Sequence, residues 1–542
     1  MTPLPPSWLE DAVFYEIYPQ SFYDSNADGI GDIPGILHKL DYLQSLGITG
    51  VWLNPCFASP FQDAGYDVSD YYSVAPRYGT NDDLKLLFAE ARRRGIRILL
   101  DLVPGHTSIE HPWFKASCRH ERNEYTDWYV WTNSVWKREA PGYYPVTGFA
   151  ERDGAYVPNF FYSQPALNYG FARPDPQYPW QQPVDAPGPR RVRQELRNIM
   201  KFWLDMGASG FRVDMAGWCV KADPDYRENI RLWQEMRTWL DGSYPEAVLV
   251  SEWGRPRIAI RAGFHIDFTL PFGMPGYTSL LRKPTGAGGG SDRYGFSFFD
   301  RRGHGNIQEF LDDYLPHYIE TREHGLIAPM TGNHDINPRL GNGRSTADLE
   351  LIYIWLLTMP GVPFIYYGDE IGMRTLDGLP SKEGGYDRTG SRTPMQWSET
   401  SNAGFSTARE EAIYLPVDTE PGRPTVAGQE SDPASLLNRV RKLIALRHAH
   451  PALCATGVFE VLYAEAGGFP WVYRRSKGSE IILVALNPAE RPAQAQLPID
   501  SPYSGTIQTL YGQENALTHT KNGWLVQLPG VSGGVYLLKD EG

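Results

Sequence analysis

AVFYEIYP (12–19), GILHKLDYLQSLG (35–47), ITGVWLNP (48–55), NDDLKLLFAEARRRG (81–95) and IRILLDLV (96–103) alternate short β-rich runs with stretches whose leucines recur at helical spacing. That alternation predicts βαβ units around a parallel sheet. The rhythm resumes with RQELRNIMKFWLDMG (193–207) leading into GFRVD (210–214), then AVLVSEW (247–253), HIDFTL (265–270), LIAPMTGNHD (326–335) and VPFIYYGDE (362–370). DYRENIRLWQEMRTWL (225–240) and ADLELIYIWLLTM (347–359) supply helices between some of them. Counting from AVFYEIYP gives eight strands, the number that closes a (β/α)8 barrel, so the fold class is α/β. The barrel is predicted over 1–104 and 171–449. Residues 105–170, rich in Trp, Tyr, Pro, Asn and His, are too long for an ordinary connection and are predicted as a small inserted domain after the third strand. Beyond the helix ASLLNRVRKLIALRHAH (434–450) the pattern is strand-only, with six runs from VFEVLYA to GGVYLLK, which predicts an antiparallel sandwich over 450–542.

Composition narrows the function. With 542 residues and 42% hydrophobic content the chain can bury a sizeable core without disulfide or metal staples. A net charge of -13 opposes binding to phosphate backbones, which excludes a nucleic-acid partner. The N-terminal MTPLPPSWLEDAVFY has no basic region followed by an apolar one, and no stretch approaches about 20 apolar residues, so no membrane association and a cytoplasmic location are expected. Cys56, Cys118, Cys219 and Cys454 lack CxxC spacing and read as buried thiols. Aromatic residues make up 13% of the chain and many fall in loops after apolar runs, where rings also suit the faces of sugars.

In a barrel of this kind the site lies where strands give way to loops at the C-terminal face. Asp101, Asp214, Glu252 and Asp335 all fall there, with His106 and His334 beside them. Two carboxyl groups about 5 to 5.5 Å apart are what retaining cleavage of a glycosidic bond requires. Asp214 is the expected nucleophile. Arg212, two residues earlier on the same strand, points to the same face and should hold Asp214 ionised. Glu252, flanked by Trp253 and other acids, should carry the proton for the leaving oxygen. Asp335 is expected to accept sugar hydroxyls, and His106 and His334 to bind them.

DLVPGH (101–106), GFRVDMA (210–216), VSEW (250–253) and TGNHD (331–335) resemble the four conserved regions of the α-amylase family, glycoside hydrolase family 13. YEIYPQSF, GVWLNPCFASPFQDAGYDVSDYY, QPALN and MPGVPFIYYGDEIGM are similar to its flanking signatures. The resemblance implies the barrel, the inserted domain, the C-terminal sandwich and a covalent glucosyl-enzyme on Asp214. SRTPMQW (391–397) is similar to the oligo-1,6-glucosidase and α-glucosidase group, which also holds trehalose synthases and sucrose isomerases. In that group an Asp of the GYD motif and an Arg near RTPMQW clamp the non-reducing glucose. The matching residues are Tyr66 and Asp67, with Arg388 or Arg392, and Gln164 is kept within QPALN. Such a clamp implies exo action on a short α-linked gluco-oligosaccharide or disaccharide.

DSNADGIGD (24–32) places oxygen donors at alternate positions, as a calcium loop does, although the twelfth position is Gly35 and not Glu. The resemblance implies one structural Ca2+ held by Asp24, Asn26, Asp28, the Ile30 carbonyl and Asp32. Three positions depart from the family pattern. Gly105 replaces an Asn that binds a second calcium in many amylases, so that second site is expected to be absent. Ala166 replaces the Asp of QPDLN, and Met215 follows the nucleophile where relatives carry Val or Ala. Two alternatives accompany the hydrolase reading. One is a transglucosidase or isomerase, suggested by SETSNAGFST and AIYLPV, which are similar to trehalose synthases. The other, a non-catalytic barrel relative, conflicts with the complete carboxylate set.

Overall fold

The computed structural model describes residues 5–136, 140, 142–283, 295–497, 506–521 and 523–539. The few other positions of the predicted domains, among them Gly505 of one predicted strand, lie outside the described residues.

Eight parallel strands form the central sheet: β1 (Phe14–Ile17), β2 (Gly50–Leu53), β3 (Arg97–Leu102), β4 (Gly210–Val213), β5 (Val248–Ser251), β6 (Ile266–Phe268), β7 (Leu326–Ala328) and β8 (Phe364–Tyr366). They pair in the order β8-β1-β2-β3-β4-β5-β6-β7. Between β7 and β8 the ring is closed by a Met330–Phe364 bridge and by Phe364 N–H donating to Pro329 O at 2.9 Å. Every residue of β1, β2, β4 and β5 is buried, as strands packed on both faces must be. Gly210 opens β4 at φ +142, where a Cβ would meet the Val248 carbonyl at 2.1 Å; no larger residue lets β4 and β5 approach this closely.

The outer helices form where leucine spacing predicts them. Asn81–Arg93 starts at a capping box, with Thr80 Oγ accepting from Asp83 N–H and Asp83 accepting from Thr80 N–H, so two end donors are satisfied at once. Its Leu84, Leu87, Phe88 and Ala91 are buried. Helix Ile307–Thr321 was not among the sequence expectations because Pro316 stands inside it, a residue that removes an N–H and reads as a breaker.

The excursion after β3 carries its own small cluster of Val130, Val157, Ala166 and Phe171. It extends beyond the predicted limit of 170, because Phe171 N–H bonds to Gln182 O and helix Pro187–Met206 begins only after Ala186.

At the C-terminal end, β9 (Val458–Tyr463), β10 (Trp471–Lys477), β11 (Glu480–Asn487), β12 (Ala493–Leu497), β13 (Thr506–Gly512), β14 (Leu517–Thr520), β15 (Gly523–Leu528) and β16 (Ser532–Lys539) make two antiparallel sheets, ordered β9-β10-β11-β16-β13 and β12-β15-β14. Val472, Leu483 and Ala485 of one meet Trp524, Val526 and Leu528 of the other in a separate core. Two short polar strands, AQAQL and LTHT, escaped the sequence reading because half their side chains are not apolar. No helix among the described residues is long and apolar enough to cross a membrane.

Candidate active site

The loops at the C-terminal ends of the strands enclose a cavity of about 350 Å3, near the small end of the range for ligand pockets. Its inner wall is Asp63, Tyr66, His106, Asp214, Glu252, Asp335, Arg388 and Arg392. Its mouth is Phe160, Met215, Trp218, Arg255 and Phe272, with the three rings between 40% and 57% exposed.

One guanidinium organises the inner wall. Arg212, buried in β4, places Nη1 2.8 Å from Asp101 Oδ1 and 3.0 Å from Asp214 Oδ1, and Nη2 2.9 Å from Glu252 Oε1. Its strand position makes this possible, since residues 212 and 214 share a face. Arg212 is not the private counter-ion of Asp214 that the sequence suggests. Burial and the nearby Glu252 carboxylate push Asp214 well above the usual carboxylate range, against a positive charge divided among three acids. Trp253 does not face the Glu252 carboxyl; its ring packs on Tyr226 and Phe264. Met215, in the left-handed region at φ +43, turns its N–H onto Glu252 Oε2 at 3.0 Å, so the residue after Asp214 helps to fix the Glu252 carboxyl.

Asp335 lies opposite. Its Oδ1 meets Arg388 Nη1 and, at 3.0 Å, Arg392 Nη2; its Oδ2 is 3.2 Å from His334 Nε2. Burial opposes the charge, but His334, Arg392 and Arg388 hold the carboxyl well below the usual range. His334 donates from Nδ1 to Glu16 Oε1 at 2.9 Å and lies 2.8 Å from the Tyr66 hydroxyl. Burial disfavours its charge, yet Asp335 and Glu16 raise its pKa to about 9, so it is an imidazolium at neutral pH. Tyr66 in turn donates to Asp101 Oδ2 at 3.0 Å. His106 is the reverse case. Its ring nitrogens face the Tyr66 carbonyl and the Asn159 amide, and burial lowers its pKa to about 3, so it stays neutral.

Two sequence assignments change. Asp67 is fully buried outside the cavity wall, and its carboxylate accepts from Gln62 N–H at 2.9 Å, Asp63 N–H at 3.0 Å and Ser59 Oγ at 3.0 Å. It folds the loop. The carboxylate of that loop that reaches the cavity is Asp63, which accepts from Gln164 Nε2 at 2.7 Å and is pushed up to about 6 by burial, with Gln164 and Arg392 pulling it back. Gln164 is likewise fully buried and holds Asp63. Both Arg388 and Arg392 line the wall; Arg392 is additionally tied to the His334 carbonyl, and its buried Nη1 has no partner. Sequence reading also missed Phe160, Trp218, Arg255 and Phe272. Their only signal was an aromatic or basic residue soon after a strand end.

Asn159 crosses from the inserted domain to the barrel. Its Oδ1 accepts from Lys221 Nζ at 2.6 Å, and that ammonium also reaches the Trp218 carbonyl at 3.0 Å. A Cβ at residue 105 would meet Asn159 Nδ2 at 2.7 Å, so Gly105 makes room for this link.

The loop 24–32 offers oxygen donors chemically suited to calcium, and several of them accept from the loop's own amides. Asp24 Oδ1 accepts from Asn26 and Ala27 N–H, and its Oδ2 from Gly29 N–H and Ser406 Oγ, which fills its lone pairs. Asn26 and Asp28 accept from the backbone two residues on, the Asx-turn pattern. Asp32 caps helix Ile33–His38 and binds Ser25. Among the described residues no three carboxylate, imidazole or thiolate groups converge to hold a metal ion.

A closed (β/α)8 ring with a buried acid pair at its C-terminal face defines an enzyme that acts on glucosides. Residues 16–456 match the α-amylase catalytic domain model, and the chain belongs to that family. It is 34% identical over 500 residues to a trehalose synthase/amylase of Mycobacterium tuberculosis, covering 85% of this chain and 78% of that one. It is 31% identical over 558 residues to an oligo-1,6-glucosidase of Parageobacillus thermoglucosidasius, covering 91% and 92%. Among solved structures, a mutant isomaltulose synthase of Erwinia rhapontici in complex with D-glucose superposes with a TM-score of 0.79 at 26% identity, over 99% of this chain and all of that one.

Proposed function

We propose that the protein is a retaining, exo-acting α-glucosidase for short α-glucosides. The observation that carries this reading is the single guanidinium of Arg212 tying Asp214 and Glu252, which line one small cavity, to each other and to the buried Asp101. Asp214 attacks the anomeric carbon while Glu252 gives its proton to the departing oxygen, forming a glucosyl ester. Glu252, now a carboxylate, takes a proton from water, whose oxygen attacks the same carbon and returns Asp214 to the free acid pair. Two displacements at one carbon retain the α configuration. Asp335, kept anionic by its three cationic neighbours, accepts ring hydroxyls, and Asp63, Arg388 and Arg392 close the end of the cavity beyond that ring.

A second reading, transfer to a sugar hydroxyl instead of water, is favoured by the ring of Phe160, Trp218 and Phe272 at the mouth, which would exclude water from the ester. The similarity to a trehalose synthase/amylase points the same way. Incubation with maltose, isomaltose, trehalose, sucrose and a longer malto-oligosaccharide, with products resolved by chromatography, tests both. Free α-glucose as the first product supports hydrolysis; a rearranged disaccharide supports transfer; internal cleavage of the long chain refutes the closed end. Asp214→Ala should abolish every one of these activities.

A further inference from the structure

Asp267, in β6, is fully buried and lies outside the cavity wall. Its Oδ1 accepts from Ser251 Oγ at 2.6 Å, Trp253 N–H at 3.2 Å and Gly254 N–H at 3.3 Å. These three donors belong to the residue before Glu252 and the two residues after it. Its Oδ2 has no partner although it is equally buried. A buried carboxyl with one bare oxygen is an expensive feature, and an apolar side chain of similar volume would be cheaper in a barrel core. Burial pushes this carboxyl up to about 7 even though Ser251 and the backbone amides favour its charge.

The segment it holds has little slack. Gly254 sits at φ +66, where a Cβ would touch Leu270 and Phe272 at 3.1 and 3.2 Å. The head of Glu252 is steered by Arg212 and by Met215 N–H, but those contacts work only if the backbone delivers the side chain at the right depth. Misplacement of a reacting group by about 1 Å can cost on the order of 100-fold in rate. We propose that Asp267 is a positioning residue for proton donation: its Oδ1 clasps residues 251, 253 and 254 and so fixes Glu252 against the leaving oxygen.

This inference rests on Glu252 being the acid of the proposed mechanism. The test compares two substrates by kcat/KM, which reports the steps up to the first irreversible one. One is the disaccharide the wild type turns over fastest, whose leaving oxygen needs a proton; the other is α-glucosyl fluoride, whose fluoride leaves with little protonic help. Asp267→Ala, which removes the accepting oxygen, should lower kcat/KM on the disaccharide about 30- to 100-fold. On the fluoride the loss should stay below about 3-fold, since Asp214 attack is untouched. Equal losses on both substrates, or none on either, would overturn the proposal. If Asp267→Ala yields no folded protein by circular dichroism, Ser251→Ala, which removes the shortest of the three bonds, should show the same selectivity at about 5-fold; a non-selective loss there overturns it equally. Glu252→Gln separates the two levels. If that variant loses the fluoride as severely as the disaccharide, the assignment of the acid has failed, whereas a selective Glu252→Gln beside a non-selective Asp267→Ala refutes only the clasp.

Discussion

Asp63 and Asp67 lie four residues apart in one loop, and exchanging each for Asn separates recognition from folding. At Asp63 the substitution keeps an oxygen for Gln164 Nε2 but removes the negative charge facing the cavity. A hydrogen bond to a charged group contributes about 1.5–3 kcal/mol, so kcat/KM on the preferred disaccharide should fall about 10- to 150-fold with little change in melting temperature. At Asp67 the carboxylate satisfies Gln62 N–H, Asp63 N–H and Ser59 Oγ, and an amide can accept through only one oxygen. With the amide oxygen in the Oδ1 place, Gln62 N–H is left facing the amide nitrogen, which predicts a loss of about 1–3 kcal/mol, seen as a drop of a few degrees by differential scanning fluorimetry. The pH dependence sharpens the distinction. Asp63 is held up to about 6, so below that pH the wild type itself becomes neutral there, and the ratio of wild-type to Asp63→Asn activity should fall towards one. A fully active Asp63→Asn, beside an Asp67→Asn that is stable but inactive, would refute the placement of the two carboxylates and restore the sequence assignment.

Arg212→Lys should cost at least 100-fold in kcat/KM, because a single ammonium cannot fork between Asp101, Asp214 and Glu252; steady-state kinetics with a retained circular dichroism spectrum checks this. The rise of His334 from 6.5 to about 9 amounts to about 3 kcal/mol of stability, fully present below pH 6.5 and lost as the pH climbs through 9, and urea unfolding at pH 6.5, 8 and 9.5 should follow that decline. Glu16→Gln, which removes one of the two carboxylates holding the imidazolium, should move that decline to lower pH. The loop 24–32 closes on its own amides, so EDTA should leave the melting temperature unchanged; a calcium-reversible drop of several degrees would show that the oxygen donors rearrange to take the ion.

What the sequence revealed and what it hid have physical causes. Barrel strands buried on both faces are continuous apolar runs, so β1 to β5 and the helices between them were legible, and a period of two placed Arg212 and Asp214 on one face before any coordinates. The alternation also brought Asp101, Asp214, Glu252 and Asp335 to one rim. Loops have no such period. Nothing in QDAGYD says that Asp67 turns inward to its own amides while Asp63 points at the cavity, and nothing in QPALN says that Gln164 serves Asp63. Charge sharing was equally invisible: adjacency along β4 suggested a pair, whereas β3 and β5 bring two further acids to the same guanidinium. A proline inside Ile307–Thr321 hid a helix that tertiary packing of Phe310 and Tyr314 sustains.

The link between the inserted domain and the barrel has a consequence of its own. An ion that bridges two parts of a protein can be diluted away, sequestered or outcompeted, and the joint then depends on the surroundings. Lys221 carries its cation on a covalent stem, so the bridge from Asn159 to the Trp218 carbonyl has no dissociation rate. Its vulnerability is moved to another variable: burial lowers this amine to about 8, and alkalinity, not scarcity, is what loosens the tie between the inserted domain and the barrel.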